Sequence, residues 1–251
     1  MCIRDRKIRE DEELSIPLSI LPLEYFSLYK KRMNYLFDTL EQMGYYIEYL
    51  PNRQSGLPLD WRLTINLGVT SVYETNLLLH RNYSIPYIPG SAVKGVTRHW
   101  AILKFAENSK IDPKKIDSAL SQGKDLKLKV NNISFEDLIN IFGSQNKKGH
   151  VIFFDALPIT EEKNNKGKVI ITLDVMNVHY KPYYEKGETP GDWYSPIPIF
   201  FLVIEKGTKF RFVLASEDEE LVKKAKMLLI EALRCAGIGA KTNVGYGYFR
   251  M

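Results

Sequence analysis

The chain has 251 residues, 45% of them hydrophobic and 26% charged, with 35 Lys and Arg against 30 Asp and Glu. This composition excludes a disordered or fibrous chain and fits one large domain or two small ones. The only cysteines, Cys2 and Cys235, exclude a disulfide framework and a cysteine-based zinc or iron–sulfur site. A net charge of +5 permits an anionic partner without requiring one. No apolar run approaches the roughly 18 residues that span a bilayer, and the start lacks a signal peptide's apolar core, so a soluble cytoplasmic protein is expected.

Residues 1–13, MCIRDRKIREDEE, read as a solvated tail. From Glu24 to Met43 a helical period sets Phe26, Tyr29, Met33, Leu36, Phe37 and Leu40 along one side, and Gly44 closes it. Pro51 to Asp60 reads as a loop, and Trp61 to Val69 as a half-buried strand with Leu63, Ile65 and Leu67 inward and Arg62, Thr64 and Asn66 outward. A helix is predicted from the Gly90–Ser91 step to about Asn108, with Ser91 as N-cap and Val93, Val96, Trp100 and Leu103 on one face. Residues 108–132 are polar and Lys-rich, which suggests a surface excursion with at most a short helix.

Ser134 to Phe142 reads as a helix opened by a Ser134-x-x-Asp137 cap. Strands are predicted over His150–Leu157, Lys168–Met176, Pro198–Glu205 and Thr208–Ala215, the last two joined as a hairpin through Lys206–Gly207. Ser216 to Ala236 is the best helix, with an apolar stripe of Leu221, Ala225, Leu228, Leu229, Ala232 and Leu233. A glycine-rich segment, Gly237 to Gly247, then leads into a short closing strand. The order approximates two βαβ halves, so the expected fold is a ferredoxin-like (RRM-like) α+β domain with long insertions. The expected division is a tail and helical extension over residues 1–60 and the main domain over 61–251. No repeat of 20–50 residues is visible.

Enzyme signatures are absent. The four histidines, His80, His99, His150 and His179, show no metal-ligand spacing, and no GxSxG elbow occurs. Cys235, at the end of an amphipathic helix, reads as a small packed residue. Lys241–Thr242 follow Ala240 where a Walker A loop needs glycine, and a dinucleotide fingerprint fails at Thr242.

Two segments remain as candidates. The glycine-rich loop combines accessible amides at Gly239 and Gly245 with Lys241, Thr242, Asn243 and Tyr246. Glycines admit a polyanion's backbone, and a tyrosine face stacks on an unpaired base. The plain alternative is a mobile connection, although four glycines in eleven residues exceed what one needs. In Pro86–Trp100, Ser91 sits at a helix start and Lys94 and Arg98 lie i,i+4 on one face, a combination that suits phosphate. An ordinary amphipathic helix with solvated cations accounts for it slightly better, and His99, rotated about 100° from Arg98, reads as a packing or capping residue.

Together the Gly90-Ser91-x-x-Lys94-Gly95-x-x-Arg98-His99 helix start and the closing GIGAKTNVGYGYF closely resemble the RAMP superfamily of CRISPR–Cas proteins. Three further stretches, IFGSQ (141–145), LDVMNVHYKPYYE (173–185) and GDWYSPIPIFFLVIEKGTKFRF (191–212), are similar to the sixth-subunit family of the Cmr series, from type III-B RNA-targeting effector complexes. The resemblance spans roughly Trp61 to Phe249. It implies a ferredoxin-like RAMP fold, binding of the guide (crRNA) and contact with other RAMP subunits. It also implies a place at the head of the complex near the guide's 3′ end, no catalysis and no cofactor. Ser91, Lys94 and Arg98 match the family's helix start, and Lys241 to Tyr246 its glycine-rich loop. Two alternatives are a guide-processing RAMP endoribonuclease with His80, His99 or His179 as base, and a generic RNA-binding module.

Overall fold

The computed structural model describes residues 23–69, 75–159 and 171–251. The charged tail, and the start of the strand expected from Lys168, lie outside them. The first helix, α1, runs Leu23–Gln42 and is followed by strands β1 (Tyr46–Leu50) and β2 (Leu57–Pro58). Then come helices α2 (Gly90–Ser109) and α3 (Pro113–Gln122), the small β3–β4 ladder (Lys129–Val130 and Ile133–Ser134) and α4 (Phe135–Phe142). Two short strands, β5 (Ile152–Phe153) and β6 (Leu157–Pro158), precede β7 (Ile171–Val178), α5 (Lys181–Lys186), β8 (Ile197–Ile204), β9 (Lys209–Ser216) and α6 (Glu219–Cys235). The architecture is α+β, and among the described residues no helix is long and apolar enough to cross a membrane.

Strand β9 is the axis of the main sheet. It pairs antiparallel with β1 and β5 at Ala215 and with β2 and β6 at Phe210, so both of its edges are taken. Its two faces have different covers. Phe37 of α1 packs edge-on against Tyr49, which is opposite Val213. On the other face Phe210 and Phe212 meet the Phe249 ring, and Lys226 of α6 reaches Glu48 at 2.8 Å. The predicted stripe of α6 is buried in full, with Asp218 as its N-cap. Ser134 and Asp137 form the expected capping box of α4.

Sequence and structure part company where tertiary partners decide. The Lys206–Gly207 turn does not make a hairpin: among the described residues the ladder partner of β8 is β7, and β9 lies in the main sheet. The extended chain at residues 59–63 enters between them. Leu59 exchanges bonds with Thr208 and Gly207, while Leu63 and Ile204 bond each other in both directions at 2.9 and 2.7 Å. That same chain, expected as a strand over 61–69, makes isolated bridges and no ladder, and it turns at Asn66 (φ 71°). Thr64, expected outward, is fully buried, its hydroxyl donating to the Leu202 carbonyl at 3.3 Å. The closing strand reduces to a single bridge between Leu59 and Phe249, and Cys235 is exposed and not packed.

Two helical expectations also change. The buried face of α2 is Val93, Thr97, Ala101 and Phe105 with Ile102 and Ala106, wider than and offset from the predicted line, and Leu103 stays outside. The helix is wedged between α6 and α3, which demands contact on two sides. Residues 113–122 are no surface excursion: α3 carries an Asp112 N-cap and a Gly123 stop, and it buries Ile116, Ala119 and Leu120. Few apolar residues suffice because all of them face the same side. Ile116→Ala should therefore cost about 2–5 kcal/mol in denaturant unfolding, as for a core truncation. A loss within about 0.5 kcal/mol would mark a surface site instead.

Candidate nucleic-acid interface

The glycine loop is first a piece of packing. After α6 the chain folds back on itself through Ile238 N–H to the Gly247 carbonyl (2.9 Å). It then docks on the extended segment, with Ala240 N–H donating to the Thr64 carbonyl and Gly247 N–H to the Arg62 carbonyl, both at 2.8 Å. A Cβ at Gly239 would stand 2.5 Å from the Thr64 carbonyl oxygen, and one at Gly247 only 1.9 Å from that of Ile238. Those glycines exist for close backbone approach. Gly245 differs: it has φ 100° but open space around it.

Between them, Lys241 adopts a left-handed conformation (φ 60°) and Thr242–Val244 form one 3-10 turn. Asn243 and Val244 face solvent, while the Lys241 ammonium lies 5.1 Å from the centre of the Phe201 ring. Tyr246 points inward, against the expectation of a stacking face. Its ring is buried beside Phe201, and its hydroxyl donates to Asp174 Oδ2 at 2.6 Å. Arg62 donates to the same oxygen at 2.8 Å, and its Nε lies 3.4 Å from Glu205. Burial alone would raise the Asp174 carboxyl, but the hydrogen bonds from Tyr246 and Arg62 outweigh it and hold the group below the usual carboxylate range. Burial, then the hydrogen bond to Asp174, pushes the Tyr246 phenol up to about 12.

The helix start is also engaged. Pro89, not Ser91, is the N-cap residue, and the Gly90 N–H donates to Asp155 Oδ1 at 2.7 Å. A carboxylate thus already occupies the positive end of α2. Ser91 is exposed. Arg98 is paired, donating to Asp117 at 2.5 Å and to Ser121 at 2.9 Å, which fastens α2 to α3. Lys94 has no acidic partner among the described residues. Burial and then the Arg98 charge lower its pKa. The two candidate segments are therefore held by different neighbours: the loop by residues 62–64 and Phe201, the helix start by Asp155 and α3. Of their cations, Lys94 and Lys241 are the ones without a carboxylate partner among the described residues.

A feature the sequence reading did not place in the site is the ribbon of β7 and β8 with α5 and the turn between them. Along it Tyr183, Tyr184, Trp193, Val175, Ile197 and Phe200 are exposed, with Trp193 at 74%. Lys181 and Lys186 lie among these rings, paired with Glu185 and Glu188 near the surface. The available signal was aromatic density in YKPYYEKGETPGDWY, a stretch too polar to belong to a core. Among the histidines, His80 is packed against Tyr29 and Tyr83, while His99 and His179 are exposed. Among the described residues no three His, Cys, Asp or Glu side chains are grouped to hold a metal ion.

A family model described as the RAMP superfamily matches residues 62–250. The chain is 41% identical over a 278-residue alignment to the CRISPR system Cmr subunit Cmr6 of Pyrococcus furiosus, covering 96% of this chain and 79% of that one. It is 23% identical to the Cmr6 subunit of Saccharolobus solfataricus, covering 90% and 66%. Among solved structures, the crystal structure of Pyrococcus furiosus Cmr6 superposes with a TM-score of 0.55 at 39% identity, covering 82% of this chain and 97% of that one. A chain of the type III-B Cmr-beta complex bound to cognate target RNA shares the fold, with a TM-score of 0.62 at 20% identity, covering 89% and 65%.

Two predictions follow from the loop's geometry. Gly239→Val drives a Cβ into the Thr64 carbonyl and should prevent folding, whereas Gly245→Ala should fold with about 1–2 kcal/mol lost to left-handed strain; chemical denaturation of both variants separates the cases. Tyr246→Phe should cost about 1 kcal/mol and should remove one alkaline transition. The phenol's folded pKa is raised, so its contribution is complete below its ordinary value of 10 and disappears as pH rises through about 12. Stability measured against pH for both proteins should show that difference closing across this window.

Proposed function

Because the chain belongs to the RAMP superfamily, and within it to the Cmr6 family, we propose that it is a crRNA-binding structural subunit of a type III-B Cmr effector complex that acts in antiviral defence. The observation that carries this reading is the 41% identity to a named Cmr6 subunit across 96% of the chain. In this role its partners are the guide RNA and neighbouring RAMP subunits, with target RNA close by, as in the complex whose chain shares its fold. We place it at the head of the assembly, near the guide's 3′ end, in the cytoplasm. We also read the antiparallel sheet around β9, backed by α2 and α6, as the ferredoxin-like unit of the RAMP fold.

The geometry supports binding in preference to catalysis. The open cations Lys94 and Lys241, the solvent-facing turn at Asn243–Gly245 and the aromatic ribbon supply charge and stacking surfaces. The ribbon's exposed apolar side chains also suit contact with a neighbouring subunit. Of the candidate bases, His80 packs among aromatic rings and its Nδ1 accepts from the Asn82 amide at 3.3 Å, while His99 and His179 are exposed. A guide-processing endoribonuclease is the less favoured reading.

Co-purification from a host carrying the whole locus, followed by sequencing of bound RNA, tests the assignment: guide RNA and Cmr subunits should come with the chain, and their absence would refute it. Within that assembly Lys94→Ala should weaken guide binding equally for all guide sequences and lower the salt slope by about 0.7. Arg98→Ala should act first on stability, by up to about 1 kcal/mol, because it releases α3. An unchanged slope for folded Lys94→Ala would make Lys94 an ordinary solvated helix cation.

A further inference from the structure

Arg211 stands in the middle of an apolar strand, FRFVLA, and only 8% of it is exposed. Alternation along β9 puts it on the α1 side of the sheet, next to Val213 and diagonal to Tyr49. Its guanidinium donates once, to the Arg53 carbonyl at 2.7 Å, and lies 6.0 Å from the centre of the Phe37 ring. No carboxylate among the described residues pairs with it. Arg53, whose carbonyl accepts that bond, is itself a cation and is committed to Asp38 and Glu41. Burial lowers the Arg211 pKa, yet an arginine does not lose its proton at neutral pH. A buried cation without a counter-charge is costly, and its other N–H donors remain available. The buried Tyr49 hydroxyl, on the same face, has no hydrogen-bond partner among the described residues.

Beside this cation lies a cavity of about 30 Å³, lined by Arg211, Tyr29, Lys30, Gln54 and the β6 edge from Leu157 to Ile159. It has room for one small group and not for a nucleoside. Among its lining residues the Tyr29 ring lies 4.6 Å from Tyr83 and 5.1 Å from His80, centre to centre, and Tyr83 and His80 are partly exposed.

We propose that this cavity is a phosphate pocket for single-stranded RNA, in which Arg211 receives one phosphate group and the Tyr29, His80 and Tyr83 rings flank the adjoining nucleoside. The inference rests on the RNA-binding reading above and names a place for it that neither candidate segment includes. Phosphate supplies the missing charge and accepts several N–H bonds at once. The rings favour a nucleic acid over a partner's carboxylate, since stacking faces serve bases.

The test uses the full-length chain, a single-stranded RNA oligonucleotide and, separately, inorganic phosphate, with melting temperature and RNA affinity as readouts. Arg211→Met removes the uncompensated cation, so the free variant should melt no lower than the parent while losing about tenfold or more in RNA affinity, the scale of one charged hydrogen-bonded contact. Gln54→Glu keeps Arg211 but supplies a built-in carboxylate at the cavity, and it should raise the melting temperature and weaken RNA binding likewise. A melting shift with inorganic phosphate that vanishes in Arg211→Met assigns the pocket to phosphate as such; a shift with RNA alone assigns it to the RNA strand. Unchanged RNA affinity in both variants overturns the proposal, and if assembly with other Cmr subunits then fails, a partner's carboxylate is the occupant. An Arg211→Met chain that loses stability and affinity together, while Gln54→Glu binds normally, also overturns it and makes Arg211 structural. If the parent binds no RNA and Lys94→Ala changes nothing in the assembled complex, the broader RNA reading fails with it.

Discussion

The backbone of residues 59–65 is the constraint on which the rest of the structure depends. Leu59 and Leu63 to Ile65 are buried while Asp60 and Trp61 bend through the surface, and the buried peptide groups need partners inside the fold. Leu59 finds its partners at the turn after β8, Leu63 at Ile204, and Arg62 and Thr64 at the glycine loop. Satisfying those groups separates β8 from β9, although only four residues join them, and so divides the strands between two sheets. It also dictates the loop, because a backbone can approach a carbonyl at Gly239 only where no Cβ intervenes. The features that make the loop look like a ligand cradle thus have a structural cause at most of its glycines, and the part left free for a ligand is the turn from Lys241 to Gly245.

Charge compensation sorts the basic residues in the same way. Arg62 is matched by Asp174 and Glu205, Arg98 by Asp117, Lys104 by Glu231 and Lys224 by Asp137. Apart from Arg98–Asp117, which ties consecutive helices, these pairs join elements far apart in sequence, and all are spent on holding the fold together. A cation already hydrogen-bonded to a carboxylate must give that up to hold a phosphate, and exchange of one anion for another yields little. Among the described residues Lys94, Lys241 and Arg211 have no carboxylate to exchange. An RNA-binding surface is better sought from unmatched cations than from the density of Lys and Arg, and Arg211 is the most buried of the three.

The ribbon of β7 and β8 contributes differently. Its inner end is rooted in the fold through Phe201, Val203 and Tyr246, while Tyr183, Tyr184 and Trp193 at its far end have no core to join. The eight-residue ladder carries exposed Val175, Ile197 and Phe200, and the segment that joins its strands adds the exposed rings, so the ribbon presents apolar surface along its length. That suits a subunit whose contacts are with neighbours and with a nucleic acid strand.

Much of this protein was legible in its residues. The stripe of α6, the Ser134–Asp137 capping box and the α+β class follow from local periodicity and local hydrogen bonds, which need no distant partner. The family was legible too, because its motifs record sequence and not geometry. Pairing was not legible: Lys206–Gly207 has the composition of a hairpin turn, and only a segment more than 140 positions earlier decides that it is not one. Nor was the state of a side chain. Tyr246 and Arg98 look available in a linear motif, and each is engaged by a carboxylate, Asp174 or Asp117, that the fold alone brings near. Arg211 shows the converse, an unremarkable charge within FRF that becomes exceptional once β9 is enclosed on both edges and covered by α1. Sequence by itself determined the four helices with a clear apolar period or cap, α1, α2, α4 and α6, and the family the chain belongs to, because those depend on neighbours within a few positions. The tertiary structure decided which strands pair and which charges stay uncompensated, because both depend on groups that are close in space and remote along the chain.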